Sequence, residues 1–154
     1  EIGHAFDSNN MKYNQNGLYN PDWISNEDKE ALESRNEAAI TYFETAFYVD
    51  GIYSVDGSRT LGENYADLSG IEICVSLLDN EEDYKVFFET YARIWCELLS
   101  VEDVSEYISY DVHSPGMIRV NAILATVNEF IEVYGIKEGD GMYIAPDKRI
   151  SRWN

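Results

Sequence analysis

The sequence predicts a mainly α-helical chain. Apolar residues recur at spacings of three and four through several long stretches, whereas the β-branched alternation of strands is scarce. Segments bearing glycine, asparagine or proline separate those stretches. With 154 residues there is enough chain for one domain around one core, and no internal boundary is visible.

Taken in order, Glu1–Phe6 reads as the tail of a helix, and residues 8–21 as a polar turn region rich in asparagine. A long helix is predicted from Asn26 to Tyr48. Ser25 and Asp28 fit a capping pattern, and Leu32, Ala39, Phe43 and Phe47 fall near one face. Residues 49–59, with Gly51 and Gly57, form a loop with room for a short extended piece. A second helix runs from Leu61 to Leu78 behind a Thr60 cap, with Leu68, Ile71, Val75 and Leu78 on its stripe. A third runs from Glu81 to Leu99, its broad face holding Tyr84, Phe87, Phe88, Tyr91, Ile94, Trp95 and Leu98. So wide an aromatic face reads as core. Ser114-Pro115 opens a fourth helix, because proline is tolerated in the first turn, and Gly135 ends it. The tail from Ile136 is irregular.

Charge and composition exclude several functions. The balance of 11 basic and 29 acidic residues gives a net charge of −18, which repels nucleic-acid backbones and anionic lipid. An apolar share of 45% argues against disorder. No apolar run approaches a membrane span. Cys74 and Cys96 sit in apolar helical patterns and are expected as buried free thiols, too few for a disulfide framework. The acidic cluster Asp79–Asp83 lacks the spacing of a calcium loop and reads as a solvated helix start.

The chemistry is concentrated in three places. The opening Glu1-Ile2-Gly3-His4-Ala5-Phe6-Asp7 is what H-E-x-x-H becomes without its first histidine. In that motif two histidines four apart on one helix face bind zinc, and the glutamate serves as general base. Alone, the pair Glu1 and His4 is weak evidence, and a surface glutamate beside a core histidine is its default reading. A catalytic zinc site takes three protein ligands and keeps one open position. Glu63, in Gly62-Glu63-Asn64-Tyr65-Ala66-Asp67, is the candidate further ligand. Asp67, four residues on, shares its helix face and can orient a ligand from behind. The competing reading makes Thr60-Leu61-Gly62-Glu63 a capping box. The third place is His113-Ser114-Pro115-Gly116-Met117-Ile118-Arg119, which on its own is a polar helix start followed by a surface cation.

Together these residues resemble the neprilysin-like zinc metallopeptidases. That family carries H-E-x-x-H-x-F-D, then E-N-x-A-D, then H-S-P…R, and this chain shows Glu1–Asp7, Glu63–Asp67 and His113–Arg119 in the same order. Trp23, Arg35, Thr60-Leu61-Gly62, Trp95-Cys96, Arg119-Val120-Asn121, Met142 and the ending Arg149…Trp153 extend the similarity over nearly the whole chain. The resemblance implies the helical C-terminal portion of a thermolysin-like (gluzincin) catalytic domain. It implies Zn2+ as cofactor, peptides as substrates, and hydrolysis of peptide bonds in oligopeptides with a hydrophobic residue just after the cut.

By the same resemblance Glu1 is the general base, and His4 and Glu63 are zinc ligands. Asp7 backs His4, and Asp67 backs the histidine expected before Glu1. His113 stabilises the oxyanion, and Arg119 grips a substrate carbonyl or carboxylate. The chain is expected to be cut just inside the zinc motif. It would then need the N-terminal remainder of its parent peptidase, and would be inactive alone. A tail without cysteine favours a bacterial-type member, and a secreted or cell-surface setting is preferred to a cytoplasmic one. The alternative is a non-catalytic helical interaction module derived from a metallopeptidase. The residue preceding Glu1 in the parent separates the two.

Overall fold

The computed structural model describes residues 2–153, so Glu1 and the role expected of it lie outside the described residues. Six α-helices follow a short 3-10 helix, Ile2–Phe6. They are α1 (Asn26–Thr45), α2 (Gly57–Val75), α3 (Glu81–Ile94), α4 (Val101–Tyr110), α5 (Gly116–Leu124) and α6 (Asn128–Val133). Among the described residues the only β pairing is two isolated bridges, Tyr13 with Tyr19 and Val49 with Tyr53. The second is the short extended piece anticipated after α1. No described helix is long and apolar enough to cross a membrane.

Helix α2 is the centre of the molecule. Its buried residues include Leu61, Tyr65, Leu68, Ile71 and Val75, and it packs against the opening 3-10 helix, α1 and α5. Phe43 from α1, Phe88 from α3, and Ile118, Ile123 and Leu124 from α5 close the core around it. Phe88 also meets Phe130 of α6 edge to face, with ring centroids 5.3 Å apart. Buried tyrosines tie the helices by their polar tips. Tyr42 donates to the Ala122 carbonyl at 2.6 Å, and Tyr65 to the Arg35 carbonyl at 2.8 Å.

Several boundaries differ from those the sequence suggests. The opening segment is a 3-10 helix, not the end of an α-helix. Helix α1 stops at Thr45, short of Tyr48, and the chain then turns through positive φ at Asp50 and Gly51. Helix α2 starts three residues before Thr60. Its cap is Asp56, whose side chain accepts from the Arg59 amide at 2.9 Å, while the Thr60 hydroxyl donates back to the Asp56 carbonyl. The capping-box reading of Thr60 and Glu63 therefore falls, and Glu63 is not occupied as a cap.

Helix α3 ends at Ile94, and the expected core positions Ile94 and Leu98 are 68% and 99% exposed. Helix α4 has no counterpart in the sequence reading. Its signal was Ser100 and Asp103, which form a reciprocal capping box. The single helix expected from Pro115 to Gly135 is broken at residues 125–127, where the Thr126 hydroxyl donates to the Ile123 carbonyl at 2.8 Å. Gly135, at φ +60, does close α6. Its amide and that of Ile136 bond the carbonyls of Glu132 and Ile131, a left-handed helix end that favours glycine. Cys74 and Cys96 are free, as expected, but both are exposed rather than buried.

Candidate active site

The first turn and the middle of α2 meet the opening 3-10 helix and the loop before α5. The approach is close. A Cβ on Gly3 would stand 2.9 Å from the Ala66 Cα, so only glycine lets this segment lie directly on α2. One residue later His4 faces Glu63. His4 Nε2 lies 3.3 Å from Glu63 Oε2, and the two side chains are 24% and 25% exposed.

The other ring nitrogen of His4 faces Asp7 Oδ2 at 3.2 Å. Asp7 is itself held. Its Oδ1 accepts the amides of Asn9 and Asn10 at 2.9 and 2.8 Å, and the Asn10 side chain donates to Oδ2. Burial works to raise the Asp7 pKa, but the Asn10 amide, the His4 ring and the Asn9 amide outweigh it. The carboxyl is held below the ordinary aspartate range.

His113 enters from the other side. Its Nε2 lies 3.3 Å from the same Glu63 Oε2, and its Nδ1 lies 2.9 Å from Asp111 Oδ1. Asp111 also accepts the His113 amide at 2.8 Å, and this bond leads the effects that hold its carboxyl below the usual range. Asn64, fully buried next to Glu63, fixes the approach of the two elements. Its amide donates to Thr60 Oγ1 at 3.0 Å, and its carbonyl oxygen accepts from the buried Ser114 hydroxyl at 2.8 Å. Gly116 completes the turn, since a Cβ there would lie 2.2 Å from the Trp95 carbonyl.

Asp67 and Arg119 form a pair of their own. Arg119 Nε and Nη2 donate to Asp67 Oδ2 and Oδ1 at 2.5 and 2.7 Å, a bidentate contact between side chains only 12% and 14% exposed. The guanidinium also stacks on Trp95, 3.6 Å from the ring centroid. Burial works against the charge on Arg119, but Asp67 more than compensates and its pKa is raised. Asp67 thus has both oxygens engaged by Arg119. Asp7 faces His4 as expected, and the histidine that Asp67 was expected to back is not part of this sequence.

The structure brings His4, Glu63, His113, Asp7 and Asp111 together, with Asp67 and Arg119 as a separate pair. Asp111 and Asn64 were missed as site residues. The Asp-x-His spacing of Asp111 and His113 was a legible signal, whereas the buried bond of Asn64 to Ser114 spans 50 residues. A cavity of about 240 Å³ opens beside His4, Asp7, Glu63 and Tyr65. A larger one of about 730 Å³, between α1 and the C-terminal tail, contains no histidine. Among the described residues no three His, Cys, Asp or Glu side chains form a group able to hold a metal ion.

The model of peptidase family M13 matches residues 1–150, and the chain belongs to that family. Its helical fold is that of the C-terminal part of these peptidases' catalytic domain. The neutral endopeptidase of Lactococcus lactis is 35% identical over 99% of this chain, which is 24% of that relative's length. PEPO from Lactobacillus rhamnosis, a crystal structure, superposes with a TM-score of 0.91 at 31% identity, over 99% of this chain and 24% of that one. The Mycobacterium tuberculosis zinc metalloprotease ZMP1, crystallised with an inhibitor, gives a TM-score of 0.87 at 27% identity, over 100% of this chain and 26% of that one. The chain thus spans about a quarter of the length of the relatives it matches.

Proposed function

We propose that this chain is the C-terminal part of the catalytic domain of a zinc endopeptidase that hydrolyses peptide bonds in oligopeptides. On this reading the N-terminal remainder of the parent completes the site. The observation that carries it is the apposition of His4 Nε2 and Glu63 Oε2 at 3.3 Å, with the other His4 nitrogen held by Asp7. Two ligands at roughly 2.0–2.2 Å from one tetrahedral ion stand 3.3–3.6 Å apart, so the spacing suits a shared zinc. The donor set, one imidazole and one carboxylate with a carboxylate behind the imidazole, also suits zinc. The zinc named for ZMP1 is in keeping with this donor set.

His4 and Glu63 would hold the ion, together with a ligand from outside this chain. When bound, zinc supplies a Lewis acid that polarises the scissile carbonyl and activates water near neutral pH. Asp7 orients His4 so that Nε2 presents its lone pair. Glu1, which carries no metal on this reading, takes the proton from the attacking water and later gives it to the leaving amine. His113 is more exposed than His4, 41% against 24%, and lies toward solvent, where substrate arrives. Its ring, steadied by Asp111, would donate to the oxyanion as it forms. Arg119, preorganised on Asp67 and Trp95, would bind a backbone carbonyl or carboxylate of the peptide.

The test is cleavage of a short peptide by the full-length parent. A chelator should stop it, and zinc should restore it. Cleavage indifferent to a chelator would refute the reading.

A further inference from the structure

Arg152 is a cation buried to 3% exposure, near the end of the irregular tail. Burying a guanidinium is costly unless its donors are met. Among the described residues no carboxylate pairs with it. Its contacts lie instead on the opening segment of the chain, on α1 and on α2. Nη2 donates to the Phe6 carbonyl, at the C-terminal end of the opening 3-10 helix, and approaches Met11 Sδ at 4.0 Å. Nη1 reaches Asn36 Oδ1 of α1 at 3.5 Å. The guanidinium carbon lies 4.4 Å from the Tyr65 ring centroid of α2. The next residue, Trp153, meets the Phe6 ring edge to face with centroids 5.1 Å apart. The Ser151 hydroxyl donates to Glu72 of α2 at 2.9 Å and fixes the tail from behind.

Phe6 is therefore gripped twice, by its carbonyl and by its ring. It stands two residues from His4 and next to Asp7. The 3-10 helix that carries His4 buries no residue of its own, so it has no apolar anchor in the core. The last carbonyls of any helix lack partners within it, and a cation at that end is favourable. Resting on the zinc-site reading above, we propose that Arg152 is a positioning residue: with Trp153 it clasps the opening helix against α2 and holds His4 Nε2 opposite Glu63.

The test uses the full-length parent with Arg152→Met, Arg152→Lys and, as a control for charge lost from the tail, Lys148→Met. Hydrogen–deuterium exchange is followed on metal-free protein, and zinc affinity by competition with a chelator. In Arg152→Met the bonded amides of Asp7 and Met11 should exchange at least about tenfold faster, while core amides of α2 keep their wild-type rates. Zinc affinity should fall roughly 10- to 100-fold, the usual effect of losing an outer support of a metal ligand. Arg152→Lys keeps the charge but not the planar fork, and should recover part of both effects. Lys148→Met should match wild type.

A folded Arg152→Met with wild-type zinc affinity would overturn the proposal, even if exchange rose, because the clasp would then be structural only. If Arg152→Met does not fold, Arg152→Lys decides: zinc affinity weakened about threefold or more supports the clasp, and wild-type affinity overturns it. A wild-type parent that binds no zinc would refute the zinc-site reading. Exchange at Asp7 and Met11 would then still decide whether Arg152 holds this segment.

Discussion

Two parts of the molecule treat their side chains differently. Where α2 meets the opening 3-10 helix and the 111–114 loop, the polar groups interlock: Asp7 with His4, His4 and His113 with Glu63, Asp111 with His113, Asn64 with Ser114. From the end of α3 through α4, large apolar side chains face solvent, with Ile94 68%, Leu98 99% and Tyr110 63% exposed. The first part is organised by contacts within this chain. The second holds apolar surface that this chain does not cover, in a family whose members are about four times as long. On the proposed reading, the interlocked part holds the chemistry and the uncovered part packs against the rest of a longer parent.

Phe88 is the strongest probe of this contrast. It is 1% exposed and touches rings of α3 and α6, so Phe88→Ala should cost about 3–5 kcal/mol in denaturant unfolding. A cost below about 1 kcal/mol would mean that the core is not packed as described. Next comes Arg119→Met. It strands Asp67 with both oxygens unmet in a mostly buried position, and about 3 kcal/mol of stability should be lost. In the full-length parent the same change should lower peptide turnover while zinc stays bound.

A smaller effect concerns acid. The folded Asp7 and Asp111 carboxyls lie below their ordinary range, so each adds stability that is fully present above that range. That stability is lost as the pH falls through the lowered folded values. An acid titration of stability should therefore slope downward below about pH 4, and more shallowly in Asp7→Asn. The smallest effect is at Leu98. In this chain Leu98→Ser should change stability by less than about 0.5 kcal/mol. A cost above about 1 kcal/mol for the same substitution in the full-length parent would show that this surface is covered there.

The same contrast explains what could be read in advance. Helix α1 and its Ser25 cap, the α2 stripe of Leu68, Ile71 and Val75, and the Gly135 stop are local signals, and each is found. The three motifs that meet at the site were also visible as short strings. The end of α3 was not legible, because the aromatic periodicity runs on through Trp95 and Leu98 and nothing local says that a partner is absent there. Helix α4 was overlooked although its Ser100–Asp103 box was present. The pairing of Asp67 with Arg119 joins residues 52 apart, and Arg152 reaches Phe6 across 146. Such pairings depend on how whole helices pack, which no spacing along the chain encodes.

The central claim is that His4 and Glu63 share one zinc ion while Glu1 handles protons without binding it. It is tested most directly by metal analysis and peptide cleavage on the full-length parent carrying Glu63→Ala or Glu1→Gln. The account predicts that Glu63→Ala loses the zinc and the activity together, and that Glu1→Gln keeps the zinc and loses turnover. Wild-type zinc content in Glu63→Ala, or wild-type turnover in Glu1→Gln, would contradict it.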